Sequence, residues 1–142
     1  MIVESLYGYL TASSTIATLL GVPRSDKTTG IFPSFAPDGA PMPQIVIMQV
    51  VGQPLQESFQ GTGRLQSARF RFSCYGSTYK SAKVLANAVK QAMMSCDGTM
   101  SSGNCEVHGS WFRLEQDEAE PIPHGTVYST HVDFEVNFLD FS

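Results

Sequence analysis

The sequence predicts an α+β fold, a mostly antiparallel sheet with two helices packed on it in the order α-β-β-α-β-β and a long β-hairpin extension. Three observations carry that expectation. Residues 79–94 place Ala82, Leu85, Ala86, Val89, Ala92 and Met93 at helical spacing. Residues 64–75 and 126–141 instead alternate apolar and polar side chains with the period of a strand. Between and around these segments, Gly, Pro and Ser clusters fall where turns are needed.

Residues 3–20 read as a first helix, with Val3, Leu6, Leu10, Ala17 and Leu20 on one stripe and Gly21 and Pro23 as the stop. Residues 22–43 follow as a long loop, because Pro33, Pro37, Pro41 and Pro43 oppose both helix and central strand. Ile31, Phe32 and Phe35 lie in it and either anchor it to the core or meet a partner. Residues 44–51 form an apolar strand, Ile45-Val46-Ile47-Met48, whose lack of alternation suggests burial on both faces. Residues 52–63 read as the tip of the hairpin, and 64–75 as the returning strand. In that strand Phe70, Phe72 and Cys74 face one way while Arg69, Arg71 and Ser73 face the other. Ser77 or Thr78 caps the second helix. After a polar turn region at 95–104, residues 105–114 and 126–141 read as a final antiparallel pair, joined by an acidic loop at 115–125. In the last strand Val132, Phe134, Val136 and Phe138 face the core, and His131, Asp133, Glu135 and Asn137 face out.

A length of 142 residues suits one domain with a core of its own, so the whole of 1–142 is expected to fold as one unit. Only 15% of the residues are charged, and neutral polar surface is cheap to desolvate, which favours protein–protein contact. A net charge of −4 with scattered basic residues opposes general affinity for nucleic acid. No apolar stretch is long enough to cross a bilayer, and the first residues have neither the basic nor the apolar region of a signal peptide. The odd cysteine count (Cys74, Cys96, Cys105) reads as free thiols in a reducing compartment; a Cys96–Cys105 disulfide is the alternative an extracellular setting would favour.

Catalytic and ligand chemistry find little support. Cys96, Cys105 and His108 are spaced too widely for a zinc knuckle, and no second ligand pair follows, so no metal is expected. His108, His124 and His131 stand outside any nucleophile motif, and Gly61 and Gly63 do not lie between a strand and a helix as a phosphate loop requires. No catalytic residue and no cofactor is expected. Glu115, Asp117, Glu118 and Glu120 read as a solvated connection or a docking loop, without the ligand spacing of a calcium site. Arg69 and Arg71 set against Asp133 and Glu135 allow two readings: cross-strand pairs within one chain, or complementary faces between subunits.

The succession of features resembles the tail-completion, or tail-terminator, family of long-tailed bacteriophages. The resemblance lies in the first helix ending at Leu20-Gly21-Val22, in Gly30-Ile31-Phe32-Pro33, in Pro43-Gln44-Ile45-Val46-Ile47 and in Ala68 through Gly76. It continues in the Tyr79–Met93 helix and the aromatic last strand, and so spans nearly the whole chain. It implies a structural virion protein, assembled in the host cytoplasm. Such a protein forms a ring, expected to be a hexamer, at the head-proximal end of the tail. There it ends tail-tube polymerisation and joins the tail to the head connector. The implied partners are further copies of itself, the tail-tube protein and a head-completion or connector protein. Genomic DNA passes through the channel without specific binding, and no membrane is involved. Another neck or baseplate component is the alternative, with a small ligand-binding domain or hydrolase behind it. Subunit or tube contacts are expected at Leu55, Gln56, Glu57, Phe59, Gln60, Arg69, Arg71, Asp133 and Glu135. Loop contacts are expected at Ile31, Phe32, Phe35, Glu115, Asp117 and Glu118. The segments 52–63 and 22–43 are expected to become ordered mainly when subunits associate.

Overall fold

The computed structural model describes residues 1–37, 40–57, 64–123 and 125–141. It holds three helices, α1 (Ile2–Thr11), α2 (Ser14–Leu20) and α3 (Tyr79–Met94). Six strands accompany them: β1 (Ile31–Pro33), β2 (Gln44–Glu57), β3 (Arg64–Gly76), β4 (Gly98–Thr99), β5 (Cys105–Ile122) and β6 (Gly125–Asp140). They form one mixed sheet in the order β1-β2-β3-β6-β5-β4, with β1 parallel to β2 and every other neighbour antiparallel.

The expected fold class, two helices on a mostly antiparallel sheet, is therefore corrected. The first helix is two helices, because Ser13 leaves helical geometry (ψ 118°) and its hydroxyl accepts from the Ile16 amide at 3.4 Å, starting α2 afresh. The parallel strand β1 arises inside the proline loop. Ile31 and Phe32 are buried there, and pairing with Ile45 and Val46 satisfies their backbone. The acidic segment at 115–125 is mostly strand: β5 continues through it to Ile122, paired with β6 along its length. On the neighbouring hairpin, β2 likewise runs past residue 51 to Glu57, opposite Arg64, so the extension is part of the sheet.

The third helix begins where expected. Thr78 accepts from the Ser81 amide at 3.1 Å, and the Ser81 hydroxyl returns a bond to the Thr78 backbone. Its apolar stripe packs on Phe70, Phe72 and Cys74 of β3 and on Val132, Phe134 and Val136 of β6, in one core that also takes Leu6, Leu10, Ile16 and Leu20. Phe134 lies at its centre, edge-on to both Phe72 (6.4 Å between centroids) and Phe112 (5.8 Å). Strand β2 is buried on both faces only at its start. Ile45, Val46 and Ile47 are covered, whereas Met48, Val50 and Val51 are exposed.

A Phe134→Ala variant empties that centre and is expected to lower the unfolding free energy by about 3–5 kcal/mol. Urea titration checks it; a loss under about 1 kcal/mol would show that the two flanking rings do not depend on it.

Candidate interaction surface

All the helices' buried stripes meet one face of the sheet. On the other face the strands place side chains in level rows across β2, β3, β6 and β5. One row runs Met48, Arg71, Asp133, Leu114; the next runs Val51, Arg69, Glu135, Trp111. Each row has an apolar residue at either end and an opposite-charge pair in the middle. The four apolar ends are exposed: Met48 by 48%, Val51 by 54%, Trp111 by 43% and Leu114 by 38%. Apolar ends around a charged centre, on a face that no helix covers among the described residues, are what a protein-binding surface requires.

Asp133 is the centre of the charged strip. It is only 1% exposed. Arg71 Nε donates to its Oδ1 at 2.9 Å and Arg71 Nη2 to its Oδ2 at 3.1 Å, while Arg69 Nη2 lies 2.9 Å from Oδ2. Burial opposes its charge, but hydrogen bonds from Arg71 and then Arg69 outweigh burial and hold the carboxyl below its ordinary value. The same bond to Asp133 raises the Arg71 guanidinium. Glu135 turns to Arg113 at 2.8 Å. Within the chain, Arg69 and Arg71 thus both pair with Asp133, while Glu135 pairs with Arg113. Sequence patterning did not single out Met48, Val51, Trp111 or Leu114. Simple alternation separates them, because a bulge lies between Met48 and Val51 and another between Trp111 and Leu114.

The acidic residues of β5 divide between the two faces. Glu115 and Asp117 lie toward α3, where Lys83 Nζ stands 2.8 Å from Glu115 and 2.9 Å from Asp117, and Lys90 Nζ 2.9 Å from Glu115. Thr130 and Tyr79 donate to Asp117 at 2.9 and 3.2 Å. Hydrogen bonds from Lys83 first, and from Lys90 as well for Glu115, hold both carboxyls below their ordinary values. Glu118 is on the open face, 3.4 Å from His131 Nε2.

His131 also meets the Ser73 hydroxyl through Nδ1 at 2.7 Å. Serine, imidazole and carboxylate thus stand in line, yet Ser73 lies mid-ladder between Val46 of β2 and His131 of β6. Its stretch of backbone is committed to the sheet on both sides, which leaves no free amide pair to stabilise an oxyanion. His108 is exposed and pairs with Glu106 at 3.0 Å. All three cysteines are buried and unpaired, with burial pushing the Cys96 thiol up to about 11. Among the described residues, no three His, Cys, Asp or Glu side chains gather as a metal site.

The remaining sequence-predicted contacts are scattered. Ile31 and Phe32 anchor the proline loop in the core, whereas Phe35 is 75% exposed. Arg24, which the sequence did not flag, holds that loop within the single chain. Its guanidinium donates to the Leu20 carbonyl at 3.2 Å and to the carbonyls of Pro41 and Pro43, and it pairs with Asp26 at 3.4 Å. Gln56 and Glu57 stand in the β2 ladder opposite Leu65 and Arg64, and Leu55 is the extra residue of a bulge. Phe59, Gln60 and His124 lie outside the described residues.

A two-layer arrangement whose sheet has one face uncovered among the described residues presents a surface suited to assembly with other proteins. The comparisons give the class its family. A profile described as "Tail completion protein gp17" matches residues 4–136. Among solved structures, the chain is similar to a component of the "Virion of native gene transfer agent (GTA) particle", with 19% identity and a TM-score of 0.61. That match covers 96% of this chain and 92% of the other. No curated protein sequence matches. The chain belongs to the gp17 tail completion family, and is a structural protein of the virion tail.

The depressed carboxyls set a pH dependence. Stability from Asp133, Glu115 and Asp117 is fully present above their unfolded values, 3.8 for the aspartates and 4.5 for the glutamate, and is lost as pH falls through the lower folded values. Thermal unfolding followed by circular dichroism is expected to show a midpoint that drops below about pH 4, with a shallower drop in Asp133→Asn. An unchanged slope in that variant would show that the arginine clamp contributes nothing to acid sensitivity.

Proposed function

We propose that this chain assembles with copies of itself into a ring of six at the head-proximal end of the tail. There it ends tail-tube polymerisation and joins the tail to the head connector. Family membership over residues 4–136 supports the reading, and the observation that carries it furthest is the bare sheet face with exposed Met48, Val51, Trp111 and Leu114. A chain acting alone has no use for such a face; in a ring it is available to line the channel or to meet a stacked neighbour. The ring's partners are the tube protein on one side and a head-completion or connector protein on the other. Its role is non-catalytic, and the net charge of −4 lets DNA pass without being held.

Particles made without this chain are expected to contain full heads unjoined to tails, and tails of uncontrolled length. Electron microscopy of the lysate reads both, and normally joined tails of fixed length would overturn the proposal. The purified chain is expected to leave the anisotropy of a labelled DNA duplex unchanged at physiological salt. Tight binding there would contradict passive passage.

A further inference from the structure

The two outer strands of the main sheet are each covered for only part of their length. β1 pairs with β2 at Ile45, Val46 and Ile47 alone, and β4 pairs with β5 at Glu106 and Val107 alone. Beyond those contacts β2 presents an edge from Met48 to Glu57, and β5 an edge from Gly109 to Ile122. Neither has a further strand beside it among the described residues. Met48 to Gly52 are exposed, as are nearly all residues from Trp111 to Ile122. Edges this long are a liability in a solitary protein, because their amides and carbonyls can accept any passing strand.

We infer that these edges join copies of this chain, the β2 edge of one subunit pairing with the β5 edge of the next, so that the sheets continue from subunit to subunit. This rests on the ring reading above and says which surfaces close the ring. The sense of the strands fits. β2 and β5 run in opposite directions within the chain, since three antiparallel pairings separate them. Side-by-side copies of the same orientation therefore meet as an antiparallel pair, the regular case. The contact is heterologous, using a different surface on each side, as a closed ring of more than two copies requires.

The short strand β4 sets the register. With copies level, Met48 falls opposite Leu114 and Glu57 opposite Cys105 of the neighbour. The end of β2 then collides with β4, which already occupies that part of the β5 edge. A slide must be an even number of rows, or the two faces of the sheet exchange. Sliding by two rows leaves an overlap; sliding by four frees β2 from β4. Met48 then lies opposite Glu118, Val51 opposite Gln116, Gln53 opposite Leu114 and Glu57 opposite Ser110, and only the tip of the β5–β6 hairpin passes beside β1. A four-row slide is about 13 Å along the strands against about 19 Å across four strands, which tilts them by about 35° to the ring axis. Closed barrels hold their strands at about 35–45°. The register forced by β4 is one that closes.

A Val51→Cys/Gln116→Cys variant tests this. Both positions are exposed on the open face, and within one chain they lie three strand spacings and four rows apart, about 20 Å, beyond the about 7 Å that a disulfide spans. The native cysteines are buried. Particles assembled with the double variant and oxidised are expected to give, on a denaturing gel, a ladder of covalent oligomers ending at the ring size. Either single variant is expected to stay monomeric. Amide exchange, which needs no substitution, is expected to slow at 48–53 and 110–118 on assembly. Particles that show the ring by imaging but no ladder and no slowed exchange would overturn the edge pairing and leave the ring standing. Particles with no such ring would overturn both.

Discussion

The pairing of β3 with β6 runs without a register break from Arg64 opposite Asp140 to Gly76 opposite Tyr128, and the two faces of the chain are both defined by it. On one side it aligns Phe70 with Phe134 and Phe72 with Val132, the centre of the core. On the other it aligns Arg71 with Asp133 and Arg69 with Glu135. A slip of one residue would exchange the faces, placing phenylalanines in water and guanidinium groups under α3. The hydrophobic pattern penalises that slip first, and the Asp133 clamp penalises it again. Because Asp133 is almost wholly covered, a shifted register would leave a desolvated carboxylate without its arginines, which costs far more than an exposed pair contributes.

Much of this central architecture was legible in the sequence, because it is written in strict periods. Strand β3, helix α3 and strand β6 each repeat one spacing for three or more cycles, and each forms within a residue or two of the expected bounds. What the pattern concealed was shorter or ambiguous in sign. A three-residue strand such as β1 has no period, and its neighbouring prolines argued for loop. Ser13 sits in a run of small polar residues that reads equally well as helix interior or as a cap. Glu115 and Asp117 look like solvent-facing charge, and nothing local reveals that Lys83 and Lys90, on a helix 25 to 34 residues earlier, are their partners.

The candidate interaction surface was legible only in its charged half. Arg69, Arg71, Asp133 and Glu135 were identified because they alternate with core aromatics, and that alternation is local. The apolar ends of the same rows were not, because Met48, Val51, Trp111 and Leu114 become neighbours of the charged pairs only once the strand order is known. Bulges conceal them further. An extra residue at Val50 in β2, and another at Arg113 in β5, resets the alternation so that the residues after each bulge face opposite to a simple count.

Those bulges also bear on the edges through which we propose that copies of the chain meet. Every register shift in the main sheet falls on β2 or β5, two on each, and none falls on the β3–β6 ladder. A bulge bends its strand and increases local twist. Placing all of them on the outer strands keeps the centre regular, where the core needs close packing, and concentrates curvature where the sheet borders solvent. Curved, interrupted edges pair less readily with an arbitrary strand than flat edges of the same length do. The partner they fit is an edge of matching curvature and register, which under the proposed pairing a second copy of the chain supplies. The same departures from a flat ladder thus favour one kind of neighbour over an arbitrary strand.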